Sequence, residues 1–205
     1  MKYNTLFLNP DRFFEDRVEA NKLRIWPALV VVLSGIAVGS NNLVVLSKLL
    51  TATSPSVSLI LVVSTIVNTI ISVFTIVFFW FMYSSVLYFV SRWFGGAGGF
   101  RDLMRLVGWS FVPTIVGGVC SLLITYQRVG GVDEVSRTAV IDSIRSVPPT
   151  MQLVLTTIGV AIVTWQAFLW VFAVKQARGL SPRASVYTIS IPFVVSVLWT
   201  IRPLL

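Results

Sequence analysis

The sequence predicts an all-α fold, a polytopic bundle of five membrane-spanning helices preceded by a short interfacial helix. Three observations predict it. First, 56% of the 205 residues are hydrophobic and 12% are charged, against about 25% charged in a soluble domain, and the mean hydropathy is +0.86. Second, none of the acidic residues (Asp11, Glu15, Asp16, Glu19, Asp102, Asp133, Glu134, Asp142) falls inside an apolar run. Charge is confined to the tail and the connections, as it must be where hydrocarbon offers no solvation. Third, the basic residues divide unevenly between two sides once the spans are laid out, and that asymmetry decides the number of spans.

Residues 1–24 form the first unit, expected on the cytoplasmic side. They are too charged for the apolar core of a cleavable signal peptide, and no small-residue cleavage site follows a short apolar run, so the N-terminus is expected to be retained. Asn9-Pro10-Asp11 reads as a helix start, with Asn9 as N-cap, Pro10 at the first helical position and Asp11 against the positive end of the dipole. Leu8 and Phe13 then occupy the two positions of a hydrophobic staple. Phe13, Phe14 and Val18 share one side of a helix that otherwise carries Arg12, Asp16, Arg17 and Glu19. Either this side rests on lipid headgroups, or the paired phenylalanines dock a protein partner.

Residues 25–205 form the bundle, with spans at about 25–46, 64–91, 106–126, 151–174 and 184–201. The first opens at Trp26-Pro27, carries Gly35 and Gly39 as a small-xxx-small pair for close helix approach, and has Asn41 and Asn42 marking its far end. The next apolar run, 57–90, would be about 51 Å long as one helix against a hydrocarbon core of about 30 Å. Charge arithmetic chooses one span over two. With one, Lys2, Arg12, Arg17, Lys22, Arg24, Arg92, Arg101, Arg105, Lys175, Arg178 and Arg183 lie inside, and Lys48, Arg128, Arg137, Arg145 and Arg202 outside. With two, the later loops swap sides and the asymmetry nearly vanishes.

Gly95, Gly96, Gly98 and Gly99 cannot be interior to a stable helix, so the chain turns there, flanked by Arg92, Trp93, Arg101, Arg105 and Trp109. The third span carries Gly117 and Gly118 within a stripe of small residues, and Pro113 is expected to kink it by clashing with the Trp109 carbonyl. Residues 127–150 form the largest polar connection, expected outside, with room for a short surface helix. Lys175 and Arg178 fall in the last turn of the fourth helix, Gly179 is placed to end it, and Ser181-Pro182 starts the fifth at once, which Pro192 interrupts. Trp26, Trp93, Trp109 and Trp170 come out near one boundary, as an interfacial aromatic belt would.

The residue types for common chemistries are missing. There is no histidine, hence no Ser-His-Asp triad and no His-containing metal site, and no carboxylate pair at membrane depth. Cys120 has no partner for a disulfide. The glycine run lacks the Lys-Ser/Thr of a phosphate loop. No catalytic, metal-binding or cofactor-binding residue is therefore expected, and no cofactor. The formal charge of +8 belongs to membrane-facing loops and anionic lipid rather than nucleic acid.

Three motifs in order resemble the Yip1 family of five-span membrane proteins: Asn9-Pro10-Asp11-Arg12-Phe13-Phe14, then Gly95-Gly96-Ala97-Gly98-Gly99-Phe100 followed by Gly108-Trp109-Ser110-Phe111-Val112-Pro113, then Gly179-Leu180-Ser181-Pro182-Arg183-Ala184. Eukaryotic members are Golgi and ER proteins that bind lipidated Rab-type GTPases and membrane proteins in vesicle traffic. The short segment ahead of the first span resembles a compact prokaryotic member. The resemblance implies a non-enzymatic adaptor or scaffold in the cell membrane, with the C-terminus outside. Phe13, Phe14, Arg92, Arg101, Arg105, Lys175, Arg178 and Arg183 are the candidate residues for a partner or lipid at the cytoplasmic face. Expected partners are the bilayer, anionic headgroups, a protein at that face and a second copy of the chain. From another class, the proline-broken helices suit a translocator or channel for lipid or a small neutral solute.

Overall fold

The computed structural model describes residues 5–19, 25–50, 55–130 and 147–205. The described helices are α1 (Thr5–Leu8), α2 (Pro10–Glu19), α3 (Trp26–Gly39), α4 (Asn41–Leu50), α5 (Pro55–Trp93), α6 (Phe100–Trp109), α7 (Val112–Gly130), α8 (Pro149–Arg178) and α9 (Pro182–Ile201), with a closing 3₁₀ turn at Arg202–Leu204. No strand occurs among the described residues. Five stretches are long and apolar enough to cross a membrane: Trp26–Ser47, Ser58–Trp93, Phe100–Arg128, Pro149–Arg178 and Pro182–Leu204. The surface helix expected within 127–150 falls largely outside the described residues.

The long apolar run is one uninterrupted helix of 39 residues, about 58 Å at 1.5 Å per residue, so it crosses once. The first span, expected over about 25–46, runs over Trp26–Ser47, but the two asparagines fall inside it rather than at its end. Asn41 and Asn42 do not end it: after a tight turn at Ser40, whose amide donates to the Ile36 carbonyl at 2.8 Å, α4 carries the helix on to Leu50. The Asn41 amide donates to the Val38 carbonyl at 3.1 Å, which satisfies the asparagine locally without stopping the chain.

The third span breaks rather than bends. The Ser110 and Phe111 amides donate to the carbonyls three residues back, at 3.0 and 3.3 Å, and α7 restarts at Val112 with Pro113 in its first turn. Proline has no amide proton for the Trp109 carbonyl, so a tight turn replaces the lost helical bond. The Phe111 carbonyl at the break lies 3.0 Å from the Ser34 hydroxyl. Ahead of it, α6 is amphipathic, with Leu103, Leu106 and Val107 buried and Arg101 and Asp102 exposed.

Glycines set the spacing between spans. A Cβ added at Gly35 would stand 2.6 Å from the Val73 backbone, one at Gly118 2.8 Å from Ala37, and one at Gly117 3.2 Å from Ile162. Gly39 likewise faces Thr69 at 3.1 Å. Polar bonds add register, with Trp80 Nε1 donating to the Met104 carbonyl at 2.8 Å and the Tyr83 and Ser196 hydroxyls paired at 2.8 Å. The core gathers at the end of the bundle that holds the glycine hinge, around Phe13, Phe14, Leu87, Leu103, Leu169 and Trp170. Ile60, Ile66 and Phe74, on the opposite half of α5, face outward, the exposure expected of a lipid-facing helix.

The four-tryptophan belt does not form. Trp26 and Trp93 are at the surface, but Trp170 is 1% exposed and Trp109 9%. Both pack in the core, Trp170 against Tyr83 with ring centroids 4.7 Å apart.

Candidate functional site

The hinge begins where α5 runs out of side chains that favour helix. The Gly96 amide donates to the Ser91 carbonyl at 2.9 Å and the Gly95 amide to that of Arg92 at 3.1 Å, while Gly95 takes the left-handed conformation at φ +82°. The chain then runs against the end of α8. An added Cβ at Gly98 would lie 1.8 Å from the Ala177 carbonyl oxygen, so no other residue type fits without moving one of the two backbones. The Ala97 amide donates to the Arg178 carbonyl at 3.1 Å.

Arg178 fastens the same junction with its side chain. Its Nε donates to Ser91 Oγ at 2.9 Å, one Nη to the Gly96 carbonyl at 2.6 Å, and the guanidinium lies 4.4 Å from the centre of the Tyr88 ring. It is 3% exposed. Gly179 ends α8 in the left-handed conformation at φ +64°, and the Leu180 amide donates back to the Lys175 carbonyl at 3.2 Å. Ser181 then caps α9 through the Ala184 amide at 3.3 Å. Phe94 of the hinge stacks on Tyr187 of α9, centroids 6.1 Å apart.

The N-terminal helix docks on this end too. Asn9 caps α2 as its sequence implies, accepting from the Arg12 amide at 3.2 Å. The staple does not form, since Leu8 is 84% exposed while Phe13 is 1% exposed. Phe13 meets Phe14 and Trp109 edge-on at 5.3 and 5.4 Å, and the Arg17 guanidinium lies 3.3 Å from the centre of the Phe13 ring. Asp11 accepts from Lys175 Nζ and Gln176 Nε2, each at 2.7 Å.

The candidate residues therefore sort into three kinds. Arg92, Arg101 and Arg183 are exposed. Lys175 and Arg105 are partly buried and paired with Asp11 and Asp102, at 2.7 and 3.4 Å. Phe13, Phe14 and Arg178 are interior, which corrects their assignment to a surface for lipid or partner: Phe13 packs on Trp109 of the chain's own α6, Phe14 lies beside it in the same core, and the guanidinium binds the chain's own hinge. Tyr88, Ser91, Gln176 and Tyr187 complete the junction. No spacing marks them, because each acts on an element remote in sequence.

The Lys175 hydrogen bond, chiefly, holds the Asp11 carboxyl below its ordinary 3.8. A depressed carboxylate value means the link stabilises docking above that pH and loses it as pH falls through the lower, docked-state value. Docking of α2 is thus expected to be flat from neutral to mildly acidic pH. The two side chains keep 27% and 40% of their exposure, so solvent screening makes the pair a small contributor. Phe14→Ala, by contrast, removes a fully buried ring at a cost of about 3–5 kcal/mol. Limited proteolysis of residues 10–19 should accelerate strongly in Phe14→Ala and little in Asp11→Asn; the reverse order would make the ion pair the anchor.

A second concave feature lies nearer the other end. A crevice of 390 Å³ is framed by α3 and α4 (Val38, Asn41), α7 (Thr114 to Ile124) and α8 (Leu155 to Ile162), with no ionisable residue in its lining. Among the described residues no group of three metal-ligating side chains occurs.

The family model described as Yip1 domain matches residues 4–201. An uncharacterized protein of Methanocaldococcus jannaschii is 24% identical over 118 residues, 58% of this chain and 84% of the relative. No solved structure matches. With a single family model covering the chain from the N-terminal helix through all five spans, the protein belongs to the Yip1 domain family.

Proposed function

We propose that the chain is a non-enzymatic membrane scaffold whose hinge-end face, turned to the cytoplasm, binds anionic lipid headgroups or a protein partner in membrane organisation or trafficking. The observation that carries this reading is the convergence of three segments, α2, the glycine hinge and the Gly179 turn, on one end of the bundle through the Asp11–Lys175 pair and the Arg178 junction. Arg92, Arg101 and Arg183 are left exposed around that junction, beside Trp93 at 79% and Tyr187 at 62% exposure. Cations beside amphipathic rings match a headgroup layer, where each cation contributes about 1 kcal/mol near an anionic leaflet. The basic asymmetry between the two ends supports this orientation.

Changing Arg92, Arg101 and Arg183 together to Gln tests it. In protein recovered from mixed liposomes, the excess of phosphatidylglycerol over phosphatidylcholine should fall to near parity, or co-purifying proteins should be lost, with thermal stability unchanged. Single cysteines fix the orientation: Ala97→Cys should label from the cytoplasm and Ser136→Cys from outside. Wild-type lipid and protein recovery in the triple variant would reduce the basic face to a topology signal.

A second reading, translocation of lipid or a small neutral solute, draws on the 390 Å³ crevice beside the broken third span. Flux of labelled phospholipid or solute into protein-loaded liposomes, above protein-free controls and abolished by changing Pro113, would favour it over the scaffold.

A further inference from the structure

We propose that the crevice between α3–α4, α7 and α8 is a binding site for one acyl chain of a membrane phospholipid. This inference is independent of what the basic face binds. On α7 the lining extends from Thr114 to Ile124, ten helical steps or about 15 Å along the axis. A volume of 390 Å³ over that length gives a mean cross-section of about 26 Å², enough for a single extended hydrocarbon chain. The lining follows successive turns of α7 and α8, the direction in which lipid tails run.

The walls decide the chemistry of the occupant. With no ionisable group in the lining, a charged headgroup has no counter-ion there, so only the tail of a lipid fits. Water fits no better. The space admits on the order of ten waters, which would bond mainly to one another, because the polar side chains in the lining that could anchor them are Asn41, Thr114 and Ser121. Asn41 is already engaged, donating to the Val38 carbonyl at 3.1 Å and accepting from Thr125 at 3.4 Å. An empty crevice would deprive Ile124, Leu155, Ile158 and Ile162 of dispersion contacts on one side. Val38 at the rim is exposed, so the crevice is not sealed, and in a spanning segment the medium at its mouth is lipid.

The glycines of the lining do not shape the tail directly, because their missing Cβ atoms point at Ile162, Ala37 and Thr200. They draw the flanking helices in, which keeps the crevice to the width of one chain. Ser121, half-buried in mid-lining, is the position from which a large side chain would fill it.

The full chain in phosphatidylcholine and phosphatidylglycerol liposomes, doped with a phosphatidylcholine carrying a diazirine at mid-chain, provides the test. After irradiation and peptide mapping, Ser121, Leu155 and Ile158 should carry several times the label found on the outward-facing Phe74 and Val194. Ser121→Phe should bring crevice labelling down to the Phe74 level and leave Phe74 itself unchanged. Crevice labelling in the wild-type chain at or below that of Phe74 overturns the proposal, as does preferential labelling of the crevice by a water-soluble diazirine. Both wild-type measurements stand even where Ser121→Phe fails to insert.

Discussion

Replacing Gly98 by alanine is expected to destabilise the bundle by about 3 kcal/mol or more, the upper range for an overpacked site, or roughly 6–12 °C in melting midpoint for a chain of this size. The reason is geometric. The added methyl would stand 1.8 Å from the Ala177 carbonyl oxygen, and that oxygen belongs to the last turn of a 30-residue helix that cannot yield as a side-chain tip can. The neighbouring glycines supply internal controls. Gly95→Ala meets nothing within 4 Å but must adopt φ +82°, a strain of about 1–2 kcal/mol. Gly99→Ala meets only an Asp102 carboxylate oxygen at 3.5 Å, ordinary contact, and should be near neutral. Thermal unfolding of the three variants in one detergent should therefore rank Gly98 worst, Gly95 intermediate and Gly99 mildest. Equal losses at all three would mean that the hinge needs glycine only for flexibility, and that its close approach to α8 contributes nothing.

That ranking also shows how far the sequence was legible. Four glycines in five positions announced a turn, because backbone entropy is a local property of the residue. Which glycine matters most was not legible: Gly98 is critical only because Ala177, remote in sequence, passes beside it. The tryptophans repeat the point. A tryptophan near a span boundary reads as an interfacial anchor whether it faces lipid or a neighbouring helix, and only the docking of α2 over Trp109 and of Tyr83 over Trp170 separates the two. The five spans were readable from apolar runs and basic asymmetry, both of which are set by the bilayer rather than by the fold. Asn41 and Asn42 misled because asparagine so often ends helices, yet here a local carbonyl satisfies one of them and the helix resumes. At the candidate site, the exposed cations Arg92, Arg101 and Arg183 were legible as charge. The interior role of Arg178 was not, since nothing in Lys175-Gln176-Ala177-Arg178-Gly179 distinguishes a guanidinium turned inward from one turned to headgroups.

Arg178 accordingly makes the second large prediction. Arg178→Ala leaves the Gly96 carbonyl and the Ser91 hydroxyl without the donors that reach them at 2.6 and 2.9 Å, and it empties the space against Tyr88. The orphaned Gly96 carbonyl costs about 1–3 kcal/mol, while the Ser91 hydroxyl keeps its own bond to the Tyr88 carbonyl at 2.8 Å; with the lost packing on Tyr88, less the relief of no longer burying a charge, the net loss is about 2 kcal/mol. Arg178→Lys should recover only part of this. A lysine ammonium can reach one of the acceptors, but it lacks the planar fork that serves both while lying on the ring. The readout that isolates the junction is the hinge itself. A cysteine at Ala97, whose amide is held by the Arg178 carbonyl at 3.1 Å, should alkylate faster in Arg178→Ala than in the wild-type background, with Arg178→Lys between. The same rate should be unmoved when Arg92, Arg101 and Arg183 are changed to Gln, because those side chains are exposed. Lipid selectivity should follow the opposite pattern, falling in the triple variant and persisting in Arg178→Lys. Should Arg178→Ala keep its melting temperature and lose phosphatidylglycerol selectivity instead, the guanidinium would belong to the headgroup surface and the junction would be held by the glycine backbone alone.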